Sequence, residues 1–386
     1  MYRRNAVGVS VLLLLAMGCA SSSSTDPARQ TLTSWEITTG RQTRAPVERG
    51  AILDGGAVVA TNAELYRVRG SETTTISQQP EPDARLVLAP GGRFYAWVRA
   101  RVSANDARSL VELFEVDGGR RASFETDPTA GPAELHLGRD AKVILTRAPL
   151  LDPEGARGPF RYTFWSASGA KIGSVDFDRG NIALSADGTA VAILGLAETR
   201  AYSASGAELW RVQGRFRMAA LSSATGPALL NPAEKGAINQ IVFAGTGTSR
   251  RTQLPTPVHK LAISPDGATS AAAGDRGSYF FIDVAAGALR EQGVAPSDSG
   301  VPYIFDLEVA NPNTLLLGVL HRLDDGTWPT ASVVAVQKSG RVSYRKSVAI
   351  REALAGVPGI DILYGASEFI AHTRETTFRG RVDGRP

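Results

Sequence analysis

Cysteine is almost missing from this chain: Cys19 is the only one in 386 residues. No disulfide can form within the chain. Histidine is scarce as well, with four residues, His136, His259, His321 and His372. None stands at a metal-ligand spacing from another or from the cysteine, so no metal site is expected. No uninterrupted apolar run reaches the about 20 residues that a spanning helix needs. Charge of one sign is not in excess, with 42 Lys and Arg against 38 Asp and Glu, and the arginines are scattered. That balance removes nucleic acid from the expected partners. No Walker loop, dinucleotide fingerprint or Gly-x-Ser-x-Gly elbow occurs, so neither a cofactor nor a hydrolase of that type is expected. Asp324-Asp325-Gly326 lacks the alternating oxygens of a calcium loop and reads as a solvated turn.

Glycine and proline are plentiful, 40 and 21 residues, as in a chain with many turns. A short apolar strand, a tight Gly-, Asp-, Pro- or Asn-rich turn and a second apolar strand recur along the sequence. The copies lie at Ala51–Ala60, Leu86–Trp97, Leu135–Leu145, Ile182–Ala192, Ala219–Leu230, Leu261–Ala271, Leu307–Leu317 and Ile362–Ala371. Their period of roughly 45 residues is that of four-stranded propeller blades. A second turn sits inside the repeat, as in Val116–Arg120, Ser166–Ala170, Ser203–Ala207 and Lys338–Arg341. Two hairpins per repeat make four strands, a to d from the axis outwards. The expected fold is therefore all-β, a propeller of eight four-stranded antiparallel blades, or seven if the weak fifth copy is misread. Ile350–Gly356 reads as a short helical insertion before the last blade.

The last repeat offers only three strands, ending with Thr376–Val382, while Leu32–Thr38 is an alternating strand with no hairpin partner. Pairing of these two segments would close the ring and hide strand edges that otherwise invite aggregation.

The N-terminus reads as an address. Arg3 and Arg4 precede an apolar run from Ala6 to Gly18, the pattern of a signal-peptide core. The run ends in Leu15-Ala16-Met17-Gly18-Cys19, which resembles the lipobox of bacterial lipoproteins, although Leu stands one place earlier than the family prefers. That resemblance implies a signal peptide over 1–18, a diacylglycerol on Cys19, a flexible tether over 19–31 and a propeller over 32–386. It also implies a membrane attachment through the lipid. Ala20 in place of Asp points to the outer membrane, facing the periplasm or the cell surface. An ordinary cleaved signal peptide with an incidental cysteine is the alternative.

Ser264-Pro-Asp-Gly267 resembles the turns of WD40-type and related bacterial propellers, and Ser205-Gly-Ala-Glu-Leu-Trp210 resembles PQQ-like repeats. No His-plus-Trp-Asp signature is present, so the likeness is to the propeller superfamily as a whole. In length, lipobox and blade count the chain resembles the PQQ-like propeller lipoproteins of the outer-membrane β-barrel assembly machinery.

In a propeller all b–c and d–a connections lie on one face. The a–b and c–d turns here are tight, whereas the b–c connections read as long loops near 99–109, 147–161, 231–238 and 321–330. Functional residues concentrate on such elaborations. Arg99, Arg101, Arg147, Arg157, Phe160, Arg161, Arg322 and Trp328 are the candidate partner-binding residues, since Arg and Trp dominate interface hot spots. The expected role is a non-catalytic interaction scaffold or assembly factor for envelope proteins. The alternative is an envelope hydrolase or lyase acting on glycans or peptides in the central pocket.

Cys19→Ala is expected to release the protein from membranes or to block its processing. Fractionation and intact mass check this, and a soluble, unlipidated wild-type protein would refute it.

Overall fold

The computed structural model describes residues 32–382 apart from 38–46, 54–55, 62, 70–71, 104–105, 152–156, 246–249, 298–299, 350–360, 365–367 and 373–376. Cys19, the signal-like segment and the expected helical insertion lie outside the described residues.

The described strands form eight four-stranded antiparallel sheets. Seven are made of four consecutive strands. The eighth takes Asp361–Tyr364, Glu368–His372 and Thr377–Val382 as its inner three and receives Leu32–Ile37 as its outermost strand. The pairing of Leu32–Ile37 with Thr377–Val382 is antiparallel, with Trp35 opposite Arg379. Each of the eight repeats read from the sequence is the a–b hairpin of one blade. The innermost strands pack side by side around an axis, and that of blade 8 touches both that of blade 7 (Val301–Asn311) and that of blade 1 (Val47–Leu53). The ring is a β-propeller.

The alternation of side chains across a strand explains why the sequence reads as it does. Ala190–Leu194, the b strand of blade 4, is buried at every position. Ala190, Ala192 and Leu194 face blade 5, where they meet Leu221, Ala228 and Leu230. Val191 and Ile193 face blade 3, where they meet Leu145, Tyr162 and Phe164. Strands buried on both faces need continuous apolar runs, and the b strands of blades 6 and 7, Ser270–Gly274 and Thr314–Arg322, follow the same rule. The outer strand Ala288–Val294 of blade 6 instead alternates between exposed and half-buried positions. The core is thus a set of apolar layers between neighbouring blades. Polar stitches cross them: Trp97 of blade 2 donates its indole N–H to Ser77 Oγ of blade 1 at 2.9 Å. Trp165 of blade 3 stacks on Phe124 of blade 2 with ring centroids 4.3 Å apart.

The tight turns are built by the residues that announced them. In Ser185–Gly188 the Gly188 N–H returns to Ser185 O at 2.9 Å, and Asp187 Oδ1 accepts from the Ser185 hydroxyl and the Thr189 N–H. Gly188 sits at φ +76°, and a Cβ there would come within 2.5 Å of the Arg139 backbone nitrogen on blade 3. Conformation and blade-to-blade approach both demand glycine at this place.

Closure generates a prediction. Removing residues 32–37 leaves the Thr377–Val382 edge unpaired, so the unfolding midpoint should fall by several degrees and aggregation should rise. Calorimetry and light scattering check this, and an unchanged midpoint would refute it.

Candidate interaction face and axial cavity

The b–c and d–a connections share one face, as expected, but two of the four long loops are strands. Phe94–Val102 and Ala107–Glu115 of blade 2 stay paired up to Val102 opposite Ala107, so the connection shrinks to residues 103–106. In blade 3, Ile144–Leu151 and Arg157–Trp165 pair up to Leu151 opposite Arg157. These hairpins project past the apolar layers, which is why their charged sequence resembles loop. The connections at 233–239 and 323–329 are loops as expected.

Several of the candidate arginines have partners in their own blade or in the connection leading into it. Arg99 lies between Glu81 and Glu112, the latter at 2.7 Å. Arg101 pairs with Glu125 at 3.2 Å. Arg161 makes a two-pronged contact with Asp176 at 2.8 and 2.9 Å. Arg157 begins the c strand of blade 3.

The remaining candidates fall into two clusters. In the first, the guanidinium groups of Arg147 and Arg179 lie 5.6 and 5.8 Å from the centre of the Phe160 ring. Arg147 also donates to Gly180 O at 2.7 Å and pairs with Glu134. His136 and Arg147 together hold Glu134 far below the usual carboxylate range, at about 2. In the second, Arg322 lies 6.0 Å from the Trp328 ring, whose edge meets Tyr303, and Tyr303 stacks on His259 at 4.7 Å. His259 contacts Ile304 O at 2.9 Å, and burial pushes its pKa down, so the ring is neutral near pH 7. Trp328 is half-buried beside a turn in which Asp325 accepts from the Thr327 N–H and hydroxyl. That is the solvated acidic turn read from the sequence.

Sequence reasoning missed Arg179, Arg215, Arg217, His259 and Tyr303. All sit on d–a connections or at the first residues of inner strands. In the sequence the b–c connections stand out by length, but the d–a connections open onto the same face, and that symmetry is the available signal.

A cavity of about 450 Å³ lies on the axis toward the tight-turn side. Its wall is mainly Val87, Leu135, Ile182, Ala219, Leu261 and Leu307, with His136, Arg139, Ser185 and Glu308 as its polar groups. Glu308 keeps part of its surface open to the cavity but is walled in by inner strands. This loss of hydration, with Asp306 two residues away, raises its pKa to about 8, while Arg139 and Lys260 oppose the rise. Lys260 Nζ stands 3.5 Å from Asp306. No group of three metal-binding side chains occurs among the described residues.

No family model matches the chain, and no curated protein matches it. Solved structures do. BamB from Moraxella catarrhalis is 13% identical with a TM-score of 0.51, covering 92% of this chain and 98% of its own. Saccharomyces cerevisiae Sqt1 is 10% identical with a TM-score of 0.58, and the C-terminal WD40 domain of Sif2 is 10% identical with a TM-score of 0.57. Each of these two covers 92% of this chain and 99% of its own. At such identity the likeness is one of fold. The neighbours include both kinds of propeller that the Ser-Pro-Asp-Gly and Gly-Ala-Glu-Leu-Trp segments resemble.

Glu308 generates a prediction. In the folded chain it keeps its proton, whereas in the unfolded chain it ionises above its ordinary value of 4.5. The folded state therefore binds more protons, and stability should fall as pH rises from about 5 to about 8. Glu308→Gln should flatten that slope. Unfolding midpoints across this range check it, and identical slopes would refute it.

Proposed function

We propose that this chain is a lipid-anchored envelope protein, held at the outer membrane through Cys19, whose propeller is a non-catalytic scaffold for envelope proteins. The observation that carries the reading is the asymmetry of the two faces. Among the described residues, a–b and c–d turns such as Ser185–Gly188, Ser203–Gly206, Ser264–Gly267 and Gln337–Gly340 are short and closed by their own hydrogen bonds. The opposite face projects two long hairpins and presents guanidinium groups stacked on Phe160 and Trp328. Flat aromatic and guanidinium surfaces supply large contact area at small conformational cost, the property of interface anchors. The lipobox-like segment supports the anchor, and the Ala20 position supports the outer membrane.

The axial cavity favours a second reading, an enzyme acting on glycans or peptides. Its supporting observation is Glu308, a carboxyl group that keeps its proton near neutral pH beside a second carboxylate, Asp306. A protonated carboxyl group can act as a general acid.

Arg157, Phe160 and Trp328 replaced together by Ala should reduce capture of envelope proteins about tenfold or more, measured below the unfolding midpoint, which should fall by a few degrees because Phe160 packs on the apolar layer between blades 3 and 4. Lys338 and Arg341, on a tight turn of the opposite face, are the control pair. Affinity purification from solubilised envelopes with quantitative mass spectrometry reads the result. Loss in the control pair alone would place the partner on the other face. Glycan or peptide turnover abolished by Glu308→Gln, with capture unaffected by either set, would replace the scaffold by the enzyme.

A further inference from the structure

Next to the Phe160 cluster, and sharing Arg147 and Arg179 with it, the face carries a further feature. Between blades 3, 4 and 5 lies a pocket of about 270 Å³. Four arginines line it, Arg147, Arg179, Arg215 and Arg217, and no acidic side chain does. The sequence spreads these residues over 71 positions, and the ring brings them together. Arg147 comes from the b strand of blade 3, Arg179 from the connection into blade 4, and Arg215 and Arg217 from the entry into blade 5.

Two of the four are held from behind. Arg147 is fixed by Glu134 and by Gly180 O, and its Nε is buried with no hydrogen-bond partner among the described residues. Arg217 donates its Nε to Asn231 Oδ1 and a terminal nitrogen to Ile238 O at 3.4 Å. Asn231 is fully buried, and its amide nitrogen is tied to Ile238 O and Gln240 O at 3.0 and 2.7 Å, so it is a rigid mount for Arg217. Partial burial lowers the Arg217 pKa, yet a guanidinium stays charged at physiological pH. Arg179 and Arg215 are exposed. Neither guanidinium has a hydrogen bond or ion pair to a described residue, and Arg179 lies over Phe160. Among the described residues Arg147 alone of the four forms an ion pair, with Glu134, while Asp275 acts on Arg217 only through space.

The rim is not wholly polar. Leu196, the turn residue between the b and c strands of blade 4, is 58% exposed and borders the pocket. Guanidinium forks match carboxylate geometry in two-pronged contacts. An exposed leucine beside them offers an apolar contact that a free phosphate cannot use.

We propose that this pocket docks a peptide segment of a protein partner in which acidic side chains stand next to apolar ones. The acids enter among Arg179, Arg215 and Arg217, and an apolar side chain covers Leu196. The proposal rests on the scaffold reading for its occupant, but its test does not need the natural partner.

The probe is a fluorescein-labelled peptide of alternating glutamate and leucine, with the glutamine version as control. It is titrated against the full chain in detergent and followed by anisotropy. The wild type should bind the glutamate peptide at least about tenfold more tightly than the glutamine peptide, and added salt should weaken the binding. The double variant Arg179→Gln, Arg215→Gln should lose about tenfold in affinity. Leu196→Ser should weaken binding by a smaller factor. These side chains are exposed, so the unfolding midpoint should stay at the wild-type value. Equal binding of the two peptides, or wild-type affinity in the double variant, would overturn the proposal. Inorganic phosphate binding more tightly than the peptide and displacing it, with no effect of Leu196→Ser, would also overturn it, in favour of a phosphate site. Peptide binding that depends on Arg179 and Arg215, together with loss of envelope-protein capture only in the opposite-face variants, would retain the pocket and reject the scaffold face.

Discussion

Everything in this molecule depends on the apolar layers between blades. A four-stranded sheet has two faces, and an inner strand that buries both cannot be stable until a neighbour covers each one. Ala190–Leu194 illustrates the constraint: three of its side chains belong to the layer with blade 5 and two to the layer with blade 3. No blade completes its own core, and the requirement passes from blade to blade until the ring closes. Closure through Leu32–Ile37 is the same requirement expressed in hydrogen bonds, since it pairs the last open edge with a strand from the far end of the chain.

The layers also divide the surface by kind. On one side the turns sit close to the layers and to one another, so Gly188 meets the backbone at Arg139 and little room is left for variation. On the other side the strands run past the layers, and their side chains answer to each other and to solvent. Arg99 and Arg101 of blade 2 settle into pairs with Glu112 on the hairpin, Glu125 on the outer strand and Glu81 in the connection from blade 1. The exposed Arg101–Glu125 pair contributes little stability, roughly 0–1 kcal/mol, whereas Arg99 and Glu112 are half-buried. Charges not absorbed in this way collect where three blades meet, and there a rigid polar mount such as Asn231 matters more than the number of ion pairs.

The axis adds a further consequence. Strands arranged in a ring leave a space at the centre that their side chains fill only in part. Most of the residues around it are aliphatic, so a carboxyl group among them, Glu308, loses water without gaining a full set of partners. Burial opposes its ionisation, and Arg139 and Lys260 only partly offset this. A raised carboxyl pKa in such a place is a property of the ring as a whole and not of the local sequence.

Local sequence determined what depends on neighbours in the chain. The eight a–b hairpins, the tight turns at Ser185–Gly188 and Ser264–Gly267, and the pairing of the Trp35 segment with the C-terminal strand were all legible, because strand alternation and glycine turns are short-range signals. Four of the residues that form the two surface clusters, Arg147, Phe160, Arg322 and Trp328, were legible as charged or aromatic side chains on long connections. Whether those connections were loops or paired strands was not, since a solvated hairpin carries the same polar residues as a loop. Tertiary structure alone decided which arginines are neutralised and which are not. Glu112 reaches Arg99 by strand register, while Arg147, Arg179, Arg215 and Arg217 meet only because three successive blades turn the same edge toward one pocket. Charge neutralisation is a matter of distances across blades, and a linear sequence does not contain them.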